Sequence, residues 1–159
     1  MAWAGQSLPS IAVLDFELID DTQDTNPETL AAQKKRLGLI SEQLRRELSD
    51  AGLYRVVGNA PAANYIAERK AQQELHACNG CELEIGKKLG ADLVLTAWVQ
   101  KVSNLILNIN IEIKRVSSAQ TLLNKSVDIR GNTDQSWSRG ISYMVRDMVQ
   151  KKQGGAAWR

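Results

Sequence analysis

The chain has 159 residues and a mass of 17.6 kDa, enough to bury a hydrophobic core in one domain without metals or several disulfides. Hydrophobic residues make up 43% and charged residues 24%, so the composition excludes disordered and fibrous proteins. The 20 basic and 18 acidic residues are interspersed and give a net charge of +2, which argues against a nucleic-acid-binding face. No apolar run approaches the roughly 20 residues that a membrane-spanning helix needs.

The first half of the sequence predicts a strand, a helix, a strand and a helix. The apolar run 10–20 predicts one continuous strand inside a sheet, and the polar loop after it ends at Asn26, a predicted helix N-cap. Apolar residues at three- and four-residue spacing then predict a core-facing helix up to Gly52. Residues 53–57 predict a short strand, and 61–77 have the composition of a helix.

The second half predicts a short helix, three strands and a final helix. The helix covers 82–90, and the apolar segment 91–102 predicts the third strand of the chain. Apolar and polar residues alternate strictly over 107–114, which predicts an antiparallel strand that lies at the outside of the sheet with one face in water. Residues 121–130 complete a β-hairpin, and 136–152 predict a helix that packs back on the sheet.

These elements predict a single α/β domain over residues 10–152, with a mixed sheet of central strands and an antiparallel hairpin flanked by helices. Ala2-Trp3-Ala4 has the small-x-small form of a signal-peptidase site, so we expect 1–9 to be a lead-in left by a removed export signal. We expect residues 153–159 to form a flexible tail. The expected location is therefore the periplasm.

Several segments resemble a group of exported bacterial domains: the Asp15-Phe16 pair that ends the first strand, the short strand Tyr54 to Val57, and the segment from Gly86 to Val99 before a hairpin. The group contains the amino-terminal domain of TolB-type proteins, the curli-secretion lipoprotein and the penicillin-binding-protein activator lipoproteins. Ala97 stands where the group often has glycine. The resemblance implies an α/β fold that binds other envelope proteins without turnover.

The segment 126–147 and the CNGC insertion resemble, more narrowly, an uncharacterised family of small secreted proteins within that group. This resemblance implies an association with pyrroloquinoline-quinone-dependent alcohol oxidation. The acylated cysteine and membrane-spanning insertions of the curli lipoprotein have no counterpart here, so we do not carry over lipid anchoring or pore formation.

The segment HACNGC holds the histidine and both cysteines of the chain within six positions. In an oxidising compartment, Cys78 and Cys81 are expected to form a structural disulfide. A redox-active pair is the alternative, although Glu82 and Glu84 disfavour a thiolate there. A metal site with His76, Cys78 and Cys81 is a third interpretation, and it lacks a fourth ligand.

The loop after the first strand is acidic, with Asp20, Asp21 and Asp24 at the place where open α/β sheets usually bind ligands. A weak cation or small-ligand site is one interpretation. The alternative, which we favour, is a solvated loop that stabilises the N-terminus of the following helix.

Asn108, Asn110, Glu112 and Lys114 lie on the wet face of the alternating strand and are the predicted partner-binding residues. An outer strand would also offer unpaired backbone groups for strand addition. Trp98 and Trp137 belong either to the core or to an aromatic binding surface.

Sequence signatures of common enzyme classes, such as a nucleophile elbow, a Walker loop or a zincin helix, are missing. We therefore expect no enzymatic activity and no cofactor. The predicted function is that of a periplasmic accessory or adaptor protein that binds another envelope protein, with a homodimer left open. A thiol-redox or metal-binding component is the alternative.

Overall fold

The computed structural model describes residues 8–153, and within that range it contains six strands and four α-helices. The strands are β1 (Ser10–Val13), β2 (Glu17–Asp20), β3 (Arg55–Val57), β4 (Leu93–Lys101), β5 (Ile106–Arg115) and β6 (Thr121–Arg130). The helices are α1 (Pro27–Asp50), α2 (Ala63–Gln72), α3 (Cys81–Lys88) and α4 (Asp134–Gln153), with 3-10 turns at Ala60–Ala62 and Leu75–Ala77. The predicted export-signal lead-in and carboxyl-terminal tail lie almost entirely outside the described residues.

The strands form one mixed sheet in the order β3-β1-β4-β5-β6, and β2 also pairs with β4. The strands β1, β2, β3 and β4 run parallel, whereas β4, β5 and β6 run antiparallel. This arrangement confirms the predicted α/β class and mixed sheet. The prediction that the alternating strand lies at the outside is wrong, because β5 pairs with β4 on one side and with β6 on the other.

The first predicted strand is interrupted by a β-bulge. Val13 lies opposite Leu95 and Glu17 lies opposite Trp98, so three residues of the first segment face two residues of β4. The extra residue reverses the alternation of side chains between the two faces of the sheet. The prediction of one continuous strand over 10–20 is therefore wrong. The odd-numbered residues of β2 lie on the face of the sheet that the even-numbered residues of β1 occupy.

Side chains from outside the strands satisfy the backbone of this bulge. Arg45 of α1 and Asn59 donate to the carbonyl oxygen of Val13, at 2.8 and 3.0 Å. The backbone N–H of Phe16 donates to Ser41 Oγ at 2.9 Å. Since a buried N–H or C=O without a partner costs about 1–3 kcal/mol, these contacts allow the ladder to be broken inside the fold.

The larger core lies between one face of the sheet and the helices α1 and α4. Asn26 caps α1 as predicted, because its Oδ1 accepts from Glu28 N and Thr29 N at 2.9 and 3.1 Å. Trp137 of α4 is fully buried in this core. Its Nε1 donates to Asn132 Oδ1 at 3.0 Å, so the ring has both apolar packing and a partner for its polar atom.

A smaller core covers only part of the other face. It is built from β1, the start of β4, α2, α3 and the 3-10 turns, with Ile85 of α3 fully buried in it. Within residues 8–153, no helix contributes to a core over this face of β5 or β6. That part of the sheet is left open. No helix in the described range is long and apolar enough to cross a membrane.

Candidate functional site

The open part of the sheet, here called the hairpin face, is a continuous polar surface across three strands. Its side chains share one face of β4, β5 and β6, and the strand registers place them in cross-strand rows. Apart from Trp98 and the exposed Ile106 these side chains are polar, and they are Gln100, Asn108, Asn110, Glu112, Lys114, Asn124, Ser126, Asp128 and Arg130.

The four residues predicted to bind a partner lie at the centre of the hairpin face. Asn108, Asn110, Glu112 and Lys114 are all partly exposed, and they alternate with buried side chains along β5. Asn110 Nδ2 donates to Asn108 Oδ1 at 2.6 Å, so the two amides hold each other in place. The wet face that the alternation predicts is present, and the neighbouring strands extend it on both sides.

Trp98 and His76 form the inner border of the hairpin face. Their rings stack with centroids 5.0 Å apart and planes inclined by 25°. His76 Nδ1 lies 2.7 Å from Glu17 Oε1, and His76 Nε2 lies 3.3 Å from Glu74 Oε2. Both ring nitrogens of His76 therefore face carboxylates. Trp98 lies at the border of the hairpin face and not in the core.

Glu17 fastens the 3-10 turn Leu75–Ala77 to the sheet. Its carboxylate accepts from the backbone N–H groups of Leu75 and His76, at 2.8 and 2.9 Å, and also contacts the His76 ring. Sequence reasoning misses Glu17, because a continuous strand would turn this side chain to the opposite face. The bulge places it beside His76.

Cys78 and Cys81 are joined by a disulfide with a Cα–Cα distance of 5.6 Å, inside the range that disulfides require. Both cysteines are buried in the smaller core. The turn between them has positive φ at Asn79 and at Gly80, 54° and 117°, which suits these two residue types. The bond links the end of the 3-10 turn to the first residue of α3.

Glu82 connects this loop to the hairpin face. The side chain is buried, accepts from Gly80 N at 2.9 Å and pairs with Lys114 Nζ at 2.7 Å. The hydrogen bond and charge of Glu82 raise the pKa of Lys114 above its ordinary value, against the opposing effect of burial. Lys114 is thus held in position and is not a freely mobile surface lysine.

The donor set that lies close enough for a metal differs from the predicted one. One ligand atom from each of Cys78, Cys81 and Glu82 lies within 4.8 Å of the others, and His76 does not belong to this group. Metal binding there would require reduction of the disulfide.

Replacing both cysteines, as Cys78→Ser with Cys81→Ser, is expected to lower the free energy of unfolding by about 2 kcal/mol, the chain-entropy estimate for so short a loop. The folded structure and partner binding are expected to remain. Urea unfolding measures the loss of stability. A free-thiol count with metal analysis on wild-type protein from its native compartment should find no free thiol and no bound metal. Bound metal, or loss of function at unchanged stability, would contradict a structural role.

The acidic loop surrounds a buried cation of the protein itself. Lys101 Nζ is fully buried and lies 3.6 Å from Asp20 Oδ2 and 3.4 Å from Asp24 Oδ2. Burial alone would raise the pKa of Asp20, but hydrogen bonds from Thr22 and the charge of Lys101 outweigh it and lower that pKa. Asp21 accepts from Gln100 Nε2 at 3.1 Å. Lys101 thus supplies a positive charge to Asp20 and Asp24, and the weak ligand site at Asp20, Asp21 and Asp24 stays a prediction.

A family comparison matches residues 9–149 to DUF3280, described as "Protein of unknown function (DUF2380)". The chain belongs to this family. At the level of sequence, no curated protein matches the DUF3280 chain.

Solved structures share the fold of this DUF3280 protein at low sequence identity. Lipoprotein GNA1162 from Neisseria meningitidis matches with a TM-score of 0.57 and 18% identity, over 94% of this chain and 99% of that one. The LpoB C-terminal domain from Salmonella enterica matches with a TM-score of 0.55 and 14% identity, over 79% of this chain and 86% of that one. The PelC dodecamer from Paraburkholderia phytofirmans matches with a TM-score of 0.50 and 12% identity, over 88% of this chain and 90% of that one. The predicted resemblance to the activator-lipoprotein group is confirmed as a likeness of fold.

Proposed function

We propose that this DUF3280 protein is an exported, non-enzymatic accessory protein that binds another envelope protein through its hairpin face. The observation that carries the proposal is the open polar surface of β4, β5 and β6, which helices leave uncovered within the described residues. Two neighbours in fold are named as a lipoprotein and as the C-terminal domain of LpoB, which supports a role at the envelope. The periplasm is the proposed location.

The chemistry of the hairpin face suits recognition of a folded protein. Protein interfaces of this kind combine an aromatic anchor with polar groups whose positions are fixed. Trp98 supplies the aromatic ring, held by its stack on His76. Asn108 and Asn110 supply amide donors and acceptors, and Lys114 is fixed by Glu82. A surface held in this way loses little side-chain entropy when it binds.

The groups that most often carry catalysis have structural contacts here. His76 lies between Glu17 and Glu74, and Cys78 and Cys81 are bonded to each other. The disulfide leaves neither cysteine available as a thiolate nucleophile, which supports the proposal that the protein acts by binding and not by turnover.

We further propose that the bound partner is a component of a quinoprotein alcohol-oxidation system. This proposal rests on the resemblance of segment 126–147 and of the CNGC insertion to small secreted proteins. Identification of the bound partner tests it, since the partner should then be a component of such a system.

Site-specific photo-crosslinking tests the proposed surface. A benzoylphenylalanine introduced at Asn110 in the exported protein, in cells of its native host, should give one discrete covalent adduct with an envelope protein. The matched control is the same group at Lys35, which is exposed on α1 on the other side of the sheet. No adduct at Asn110, or the same adduct from both positions, would refute the proposal.

A thiol-redox or metal-binding function is the second candidate. The donor set of Cys78, Cys81 and Glu82 favours it, because three potential ligands lie within 4.8 Å. The thiol count and metal analysis described above distinguish it from the adaptor function.

A further inference from the structure

A groove runs along the outer edge of the sheet, between β6 and α4. Its volume is about 540 Å³. The strand side is lined by Ser126, Asp128 and Arg130, and the helix side by Arg139, Gly140 and Tyr143. It lies at the margin of the hairpin face, since β6 belongs to both.

The strand side of the groove carries unpaired backbone groups. Within residues 8–153, β6 pairs with β5 and with no other strand. The N–H of Gly131 donates to the carbonyl oxygen of Leu105, which directs the odd-numbered residues of β6 toward β5. Since the direction alternates along an antiparallel strand, Ser126, Asp128 and Arg130 direct their N–H and C=O groups outward, into the groove.

The helix side provides a close wall with one large exposed ring. Gly140 is buried, and a Cβ there would meet Ile109 Cδ1 and Ile129 Cγ2 at 2.7 Å, so α4 lies tightly on the sheet at this point. One turn later, Tyr143 is 54% exposed and lines the groove. An added strand beside β6 would cover this ring.

The charges of the groove favour an acidic ligand. Arg130 and Arg139 are exposed, and in the described part of the chain neither has a carboxylate within 4.0 Å. Asp128 is the acidic residue of the lining, so the groove keeps a net positive charge. Guanidinium groups bind carboxylates in paired hydrogen bonds, which makes them selective for acidic side chains.

We infer that this groove binds an extended acidic segment of the partner protein, which adds to the sheet as a strand beside β6 and pairs its carboxylates with Arg130 and Arg139. Strand addition of this kind derives its affinity from backbone hydrogen bonds and its specificity from the side chains along the groove. The inference rests on the proposed accessory function and names the chemistry of the partner segment.

The test uses synthetic peptides and the amide spectrum of the whole chain. The probe has 10 residues, the length of β6, and carries Glu at both odd and even positions among Val and Thr, because Arg130 belongs to the hairpin face and Arg139 to α4 on the other face of the sheet; in the control peptide Lys replaces Glu. The acidic peptide should shift the amide signals of β6 and of the α4 turn that carries Tyr143, whereas the basic peptide should not. Equal binding of the two peptides, or shifts confined to other surfaces, would overturn the inference.

Two protein variants separate the backbone and charge contributions. Ser126→Pro removes an outward N–H without touching the β5–β6 ladder, and Ser126→Ala retains that N–H. The proline variant should bind the acidic peptide about tenfold more weakly than the wild type, and the alanine variant should bind it with the wild-type affinity. Arg139→Glu should weaken binding by a similar factor, in contrast to Arg55→Glu on β3 at the opposite edge of the sheet. An unchanged β5–β6 spectrum shows that each variant is folded.

The experiment also separates this inference from other occupants and from the proposed function. If the β6 amides shift on dilution without peptide, a second copy of the chain fills the groove and the inference is wrong. If the peptides fail while the crosslink at Asn110 succeeds, the accessory function stands and only the groove assignment falls.

Discussion

Replacing Trp137 by alanine is expected to lower the free energy of unfolding by about 3–5 kcal/mol, the usual range for a large aromatic residue removed from a core. The side chain is fully buried in the larger core and connects α4 to the sheet. Its loss also deprives Asn132 of the indole N–H, which donates at 3.0 Å. Urea unfolding followed by circular dichroism measures the effect.

Tyr143 provides the matched control on the same helix. Its ring is 54% exposed, so Tyr143→Ala should change the stability by less than about 0.5 kcal/mol. Trp137→Phe should fall between the two, because it retains most of the packing and loses the hydrogen bond. A Trp137→Ala variant within about 1 kcal/mol of the wild type would show that α4 does not depend on this anchor.

Replacing Lys101 by methionine is expected to destabilise the protein by about 2–4 kcal/mol at neutral pH. Breaking a fully buried ion pair costs about 3–5 kcal/mol, and the cost here is lower because Asp20 and Asp24 are 17% and 22% exposed. The methionine retains the apolar part of the side chain, so the lost charge is responsible. Lys35→Met, at an exposed position of α1, is the control and should have little effect.

The pH dependence and a triple variant test this explanation. The pKa of Asp20 lies below its ordinary value of 3.8, so its stabilising contribution is present above that value and is lost as the pH falls through the folded-state pKa. The difference between wild type and Lys101→Met should therefore shrink below about pH 3.8. Adding Asp20→Asn and Asp24→Asn to Lys101→Met should recover much of the lost stability at pH 7. A difference that is constant with pH would contradict the electrostatic origin.

Local patterns in the sequence carry much information about the elements. The three- and four-residue spacing predicts α1 and α4, and the cap at Asn26 is present. The alternation over 107–114 predicts a half-buried strand, and β5 has that burial pattern. These features depend on residues a few positions apart, whose side chains share a face of one helix or strand whatever the rest of the chain does.

The site depends instead on how distant segments align. One extra residue before Glu17 turns that side chain toward His76, a contact across 59 positions of sequence. The pairing of β6 with β5 makes β6 the edge, although both strands have a similar pattern. Neither the bulge nor the strand order is encoded in the spacing of residues within one element.

By itself, the sequence determined the class of the fold, the hairpin with its polar face, and the closeness of Cys78 and Cys81, because periodicity and short spacing act locally. Tertiary structure alone decided that Lys101 neutralises the acidic loop, that Glu17 binds the histidine turn, and that a groove opens beside β6. Each of these depends on register between segments far apart in the chain. A shift of one residue there exchanges the two faces of a strand.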